Sequence, residues 1–394
     1  VDLTAIQNAV REAGLDGWLF YDFHNRDVIG YRILGMDPEK MTTRRWFYFV
    51  PAEGDPIRLC HGVEGTRLDE LPGEKRIYRR WEELHTELGR LFGAAKTVAM
   101  QYSPLCDIPY VSMVDAGTVE LVREKGGVDV VSSANLVSRF EAAFGEEGAE
   151  SHRRAMMTVL GVKDEAYAKI GAAVSAGEKL TEYDIARFIL DRFAEEGLDA
   201  GNHVPIVGIG GHPADPHFEP TPENAWEFGM DQTVLIDLWA REVAPGSIYA
   251  DVTWCGYIGA NPPEEYVTIW RTVCAARDAG IALVTERFAA GEPVEGWEID
   301  DAVRQVVVEA GYGDYFIHRT GHSIGEEVHG NGANIDNFET RDRRRILPGT
   351  AFSIEPGIYF EDRMAVRTEI DILVTPAGEI EVVGGMQEDL IMLP

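Results

Sequence analysis

Apolar and polar positions alternate in short blocks over the first part of the chain. Ala5 to Ala13 reads as a helix stopped at Gly14, and Gly17 to Tyr21 (Gly-Trp-Leu-Phe-Tyr) as a short buried strand. Arg45 to Val50 is a second apolar strand, ended by Pro51 and Gly54. Trp81 to Phe92 has helical spacing and Thr97 to Met100 is again strand-like. This succession predicts an N-terminal α/β module over residues 1–145. No catalytic constellation stands out within it, and His24 and Asn25 read as part of a turn or a subunit contact. Between Phe140 and Arg154 the pattern becomes acidic and helical, which places a junction there and a second domain over residues 150–394.

The second domain contains a repeat. Ala176 to Leu198 aligns with Ala290 to Tyr312 at a constant offset of 114, matching Gly177 with Gly291, Tyr183 with Trp297, Ile185 with Ile299 and Gly197 with Gly311. Each copy is an amphipathic helix closed by a glycine, the first with Thr181 as N-cap and Asp184 three residues on. Two copies are too few for a solenoid. They predict two related α+β halves with a site between them.

Carboxylates repeat as well. Asp237 lies in the apolar run Val-Leu-Ile-Asp-Leu-Trp, Asp251 in Tyr-Ala-Asp-Val-Thr-Trp, Glu355 in Phe-Ser-Ile-Glu-Pro-Gly and Glu369 in Val-Arg-Thr-Glu-Ile. Asp237 and Asp251 are 14 residues apart, as are Glu355 and Glu369, and the two pairs are related by an offset of 118. An ionised carboxylate in an apolar strand costs several kcal/mol unless it is paired or bound. Salt bridges are one resolution, but only Glu369 has a local partner, Arg367, on the same strand face at period two. A metal centre is the other, and it accounts for all four.

The segment His318 to His329 (His-Arg-Thr-Gly-His-Ser-Ile-Gly-Glu-Glu-Val-His) holds three of the ten histidines. Gly321 and Gly325 break any period, so it reads as a loop, either solvated or supplying imidazole for metal binding and proton transfer. Four carboxylates with an imidazole overfill one ion and suit two divalent ions. The oxygen-rich set favours Mn(II), Co(II), Fe(II) or Zn(II) over a metal selected by thiolates. A water between two such ions would be acidified to hydroxide while one ion polarises a carbonyl, which is hydrolase chemistry.

Composition adds exclusions. With 36 basic and 67 acidic residues the formal charge is −31, so nucleic acid and anionic membrane surfaces are not expected partners. No apolar run approaches the length of a membrane span, and no signal peptide is visible at Val1-Asp-Leu-Thr-Ala. Cys60, Cys106, Cys255 and Cys274 are widely spaced, which fits reduced thiols and a cytoplasmic setting.

Taken together, Asp237 in Leu-Ile-Asp-Leu, Asp251 in Ala-Asp-Val-Thr, His322 in Gly-His-Ser-Ile-Gly, Glu355 in Ile-Glu-Pro-Gly and Glu369 in Val-Arg-Thr-Glu resemble the ligand signature of the creatinase/aminopeptidase metallopeptidases with the pita-bread fold. The resemblance covers residue 150 to the end. It extends more loosely to a creatinase-type N-terminal domain, by size and strand order. It implies an Xaa-Pro dipeptidase acting on small peptides, with two divalent ions (manganese first, cobalt or zinc next), and a homodimer. Asp237 would chelate one ion, Asp251 and Glu369 would bridge, and His322 and Glu355 would hold the other, with Glu355 also moving protons. His217, His318 and His329 match the histidines that hydrogen-bond the peptide and stabilise the oxyanion, and Thr253 and Arg367 match residues that support the ligands. Alternatives are an Xaa-Pro aminopeptidase acting on longer peptides and an inactive pita-bread binding protein.

A dipeptidase also needs a cation for the free carboxylate of its substrate, and the fork of an arginine suits it. Arg341, in Glu-Thr-Arg-Asp-Arg-Arg-Arg, falls where prolidases carry such a residue; a solvated basic loop is the other reading. His212 reads as a turn residue, and Trp239 and Trp254 as packing residues. The stretch between Asp237 and Asp251 is longer than in typical prolidases, and Trp239 and Trp254 replace a small residue and an arginine; both departures bear on pocket shape.

Overall fold

A computed structural model describes residues 1–361 and 363–394. They form two compact units, Val1–Glu141 and Ala142–Pro394.

The first unit is built on a six-stranded mixed sheet, in the order Glu74–Tyr78, Ile57–His61, Trp46–Pro51, Gly17–Asp22, Thr97–Met100, Asp129–Ser132. Its central strand Gly17–Asp22 is buried along its whole length. Alternation explains this: Trp18 and Phe20 pack with Ile6, Val10 and Val137 on one face, Leu19 and Tyr21 with Leu84, Leu88 and Val122 on the other. The first helix runs Leu3–Glu12, two residues earlier than the apolar pattern suggests, because the Asp2 side chain accepts the Ala5 N–H and sets the start. His24 and Asn25 lie in a turn with positive φ, held by Asp22, which accepts from the N–H groups of Asn25, Arg26 and Asp27.

In the second unit the sequence repeat becomes architecture. The helices Glu146–Ala176 and Glu264–Ala290 end on Gly177 and Gly291, both at φ +67°, a conformation only glycine adopts without strain. Each is followed by a shorter helix, Glu182–Glu195 or Gly296–Glu309, at the same offset of 114. Thr181 and Asp184 form the expected reciprocal cap. Each helix pair precedes strands. In one half Gln232–Glu242 pairs antiparallel with Ala250–Ile258; in the other Thr350–Ile354 pairs antiparallel with Ile370–Val374. The mixed α/β class and the paired halves are those the sequence predicts. The register differs between them: Thr253 faces Asp237, whereas Asp371, at the 118 offset from Thr253, faces Ser353 rather than Glu355. No described helix is long and apolar enough to cross a membrane.

Candidate metal centre

The five residues singled out as ligands converge within the second unit. Asp237 and Asp251 sit on the long antiparallel pair. Glu355 follows Thr350–Ile354, and Glu369 lies between the strands Met364–Arg367 and Ile370–Val374. His322 enters from the loop, just before the two-residue strand Ser323–Ile324. Gly321 is required there, since a Cβ would collide with the Ser353 carbonyl. Backbone bonds from Ser353 N–H to the His322 carbonyl and from Glu355 N–H to the Thr320 carbonyl fasten the loop to the Glu355 strand.

His322 Nε2 stands 3.5 Å from Glu355 Oε1, 3.7 Å from Asp251 Oδ2 and 4.0 Å from Glu369 Oε1. Donor atoms of Asp251, His322 and Glu369 all fall within 4.8 Å of one another. His322 Nδ1 lies 3.2 Å from the Ser323 carbonyl, which can only accept, so Nδ1 carries the proton and the Nε2 lone pair faces the carboxylates. Electron-rich atoms facing each other across 3.5–4.0 Å in a buried site need a cation between them. Asp237 Oδ1 and Asp251 Oδ1 are buried without a hydrogen-bond partner among the described residues. Burial, reinforced by the neighbouring carboxylates, pushes the Asp251 and Glu369 carboxyls well above their usual range. Burial also raises Asp237, against the opposing charge of Arg367. The same desolvation holds His322 well below the usual imidazole range. The donor set therefore fits divalent ions.

The guanidinium that is hydrogen-bonded to the cluster among the described residues is not where period two put it. Arg367 does not close on Glu369: its guanidinium donates to Asp237 Oδ2 at 2.5 Å, to Tyr359 Oη at 2.9 Å and to Thr253 Oγ1 at 3.2 Å. Thr253 Oγ1 in turn donates to Glu369 Oε2 at 2.8 Å. Tertiary packing brings the Arg367 side chain, from the separate hairpin of Gly357–Phe360 with Met364–Arg367, to a residue 130 positions away in sequence, which a local pattern cannot reveal.

The three flanking histidines differ. His318 Nδ1 lies 2.6 Å from the Arg319 carbonyl and Nε2 2.7 Å from Tyr359 Oη. The carbonyl fixes the proton on Nδ1, so Tyr359 donates to Nε2 while accepting from Arg367. Both nitrogens of His318 are thus engaged within the protein. Burial takes its imidazole down to about 3. His329 is exposed, has no hydrogen-bonding partner among the described residues, and sets its ring edge-on to His322 with centroids 4.3 Å apart. Desolvation still lowers it to about 4. His217 is exposed beyond the His212–Ala214 turn, close enough for its charge to act on Asp237 and His329.

Arg341 is exposed and lies over the Trp297 ring at 4.3 Å, away from the acidic cluster in all its described contacts. Trp239 and Trp254, on the paired strands, are partly buried and pack against the core, as expected. His212 does sit in a turn, and also pairs with the fully buried Glu182 at 2.8 Å, between the Phe218 and Trp226 rings. Tyr359 was not singled out by the sequence; a tyrosine in an apolar strand reads as core. Asp371 had a signal: it follows Glu369 at period two and so projects to the same side.

Comparison with known proteins agrees with this geometry. Residues 150–376, which include all five candidate ligands, match the profile described as metallopeptidase family M24. The probable dipeptidase PepE of Mycobacterium bovis is 31% identical over 268 residues, 68% of this chain and 65% of that protein, so the chain spans just under two thirds of that relative's length. The structure resembles dipeptidase PepE from Mycobacterium ulcerans, with a TM-score of 0.67 at 24% identity, covering 100% of this chain and 97% of that one. It also resembles a prolidase from Thermococcus sibiricus, with a TM-score of 0.59 at 21% identity, covering 99% and 98%. At these identities the structural likeness is one of fold. The family match covers more than half of the chain, and the chain belongs to metallopeptidase family M24.

Proposed function

We propose that this chain is a dinuclear metal-dependent peptidase that hydrolyses Xaa-Pro dipeptides. The observation that carries the reading is the buried cluster of Asp251, Glu355 and Glu369 around the His322 Nε2 lone pair, with Asp237 close to Asp251 and two carboxylate oxygens without a partner among the described residues. Asp237 would hold one ion, His322 and Glu355 the other, and Asp251 and Glu369 would bridge. Bound there, two ions would supply a hydroxide nucleophile and a Lewis acid for the scissile carbonyl. Manganese is the first candidate, cobalt and zinc the next.

The remaining steps belong to the chain. Glu355, partly exposed at the end of its strand, would take the proton of the attacking water and deliver it to the leaving amine. His329 and His217, exposed and with ring nitrogens uncommitted among the described residues, would hydrogen-bond the peptide and the developing oxyanion. His318 would act through Tyr359, holding its hydroxyl so that Arg367 keeps Asp237 in place. Residues 1–145 would form a creatinase-type N-terminal domain contributing to a homodimer, and residues 150–394 the pita-bread catalytic domain of a cytoplasmic enzyme.

One observation favours a second reading. With Arg341 stacked on Trp297, the anchor expected for a dipeptide carboxylate is turned elsewhere, which suits an Xaa-Pro aminopeptidase acting on longer peptides. The deciding experiment strips the protein with a chelator and assays Xaa-Pro, Xaa-Pro-Yaa and Xaa-Ala peptides with Mn(II), Co(II) or Zn(II) added back. Hydrolysis of Xaa-Pro dipeptides only after metal addition is expected. Cleavage confined to Xaa-Pro-Yaa selects the second reading, and neither bound metal nor hydrolysis leaves a binding protein.

A further inference from the structure

Behind the acidic cluster lies a second pair of titratable groups that the chemistry above does not use. His152, near the start of the long helix Glu146–Ala176, and Asp371, on the strand after Glu369, are both fully buried. His152 Nε2 stands 3.7 Å from Asp371 Oδ2. Neither His152 Nε2 nor Asp371 Oδ1 has a hydrogen-bond partner among the described residues. A helix face packed on a strand pair calls for an apolar side chain here, and an imidazole so placed needs a reason.

Their remaining contacts supply one. His152 Nδ1 lies 2.6 Å from the Tyr249 carbonyl, which accepts, so Nδ1 carries a proton and donates. Asp371 Oδ2 accepts the Asp251 N–H at 2.9 Å. Next to His152, Ser151 Oγ accepts the Ile248 N–H at 3.1 Å, and the Tyr249 N–H bonds to the Gly325 carbonyl of the His322 loop at 2.9 Å. Ile248, Tyr249 and Asp251 are thus fastened from helix, loop and strand.

We infer that His152 and Asp371 are positioning residues that fix the backbone of Asp251, and so set the aim of its carboxylate at the metal centre. The inference rests on the metal-centre reading above. Among the described residues Asp251 has no side-chain hydrogen bond that would hold its Oδ1. Its direction is therefore set by its backbone, and that backbone is held at Tyr249 and at its own N–H. Groups that orient a ligand from behind typically matter 10–100-fold in metal affinity.

The test is Mn(II) titration of the chelator-stripped protein by calorimetry, read beside the melting temperature of the metal-free protein. His152→Leu removes the donor and is expected to raise the Mn(II) Kd about 10–100-fold. His152→Asn, whose amide can occupy the Nδ1 position, is expected to recover most of that loss. Asp371→Leu should reproduce the loss, and Asp371→Asn, which keeps an acceptor for the Asp251 N–H, should relieve it. A merely structural role would lower the metal-free melting temperature and leave Kd unchanged. If the leucine variants do not fold, His152→Gln, whose amide falls at the Nε2 position and misses Tyr249, decides alone. A parental Kd in whichever of these variants folds overturns the inference. Failure of the parent protein itself to bind Mn(II) would overturn the metal centre instead.

Discussion

Arg367 is the residue whose loss the structure prices most directly. Its guanidinium is buried and holds Asp237 Oδ2 at 2.5 Å, while Asp237 Oδ1 has no partner among the described residues. Arg367→Met keeps much of the apolar stem and leaves Asp237 buried without its cation. Removing one partner of a buried pair costs about 3–5 kcal/mol. Protonation of the carboxyl sets a ceiling on this. Taking an unfolded value of about 3.9, keeping Asp237 neutral in the fold costs about 1.36 × 3.1, or roughly 4 kcal/mol, at pH 7, and only about 1.5 kcal/mol at pH 5. The sign follows from the proton count. In the variant the folded state holds a proton that the unfolded state has released, so stability falls as pH rises from about 4 through the raised value. The metal-free variant should therefore melt below the parent at pH 7, by roughly 6–16 °C at about 2–4 °C per kcal/mol, and much closer to it at pH 5. Divalent ions replace the missing positive charge, so saturating Mn(II) should narrow the gap at pH 7. The assay is thermal denaturation followed by near-UV circular dichroism, with chelator or with metal, at the two pH values. A gap that is the same at pH 5 and pH 7, or that Mn(II) leaves untouched, would refute the assignment of Arg367 as the counter-charge of this cluster.

Two further outcomes are expected. Asp27 caps the helix Val28–Leu34 through Oδ1 while its Oδ2 is buried and unpartnered, and burial pushes its carboxyl up to about 7. Its folded value lies above its unfolded one, so it costs stability progressively as pH rises from about 4 to about 7; Asp27→Asn keeps the cap and should abolish that slope, gaining at most about 4 kcal/mol at pH 8 in urea unfolding, and an unchanged slope would count against it. Arg341→Ala should leave KM for Xaa-Pro dipeptides and tripeptides equally unaffected if Trp297 holds that side chain as observed; a rise confined to dipeptides would restore Arg341 as the carboxylate anchor.

Some of this was readable along the chain because it is locally encoded. The two helices at offset 114 are each delimited by glycine and cap, and an amphipathic helix so delimited needs no tertiary information to be recognised. The strand carboxylates were conspicuous because an acid in an apolar run is costly wherever it folds. What stayed hidden depends on partners far apart in sequence. Period two in the sequence puts Arg367 and Glu369 on one face, yet Glu369 lies between strands and the guanidinium reaches Asp237 on a strand of another sheet. His318 carries the position of a substrate residue, but its protonation is set by the Arg319 carbonyl and its other nitrogen by Tyr359, 41 residues on. Arg341 lies in a basic run whose composition says nothing of Trp297.

The same distinction bears on why the site should be read as a metal centre rather than as a set of ion pairs. Four carboxylates and the guanidinium of Arg367, the one hydrogen-bonded to them among the described residues, do not balance, and Asp371 behind them adds a fifth acid. Without ions the surplus has to be met by protons, which is what the upward displacement of Asp251, Glu369 and Asp371 expresses. A protein selected only for stability would not keep such an arrangement, since apolar residues of similar volume fill a core at lower cost. Here the backbone is committed to it: Gly321 lets the His322 loop approach Ser353, Thr253 orients Glu369, and Asp371 holds the Asp251 N–H. Each of these contacts directs a ligand atom rather than neutralising it. Metal binding should therefore be coupled to stability. Ions that bind only the folded state add RT ln(1 + [M]/Kd), about 2.7 kcal/mol at a hundredfold excess over Kd, and relieve the surplus charge at the same time.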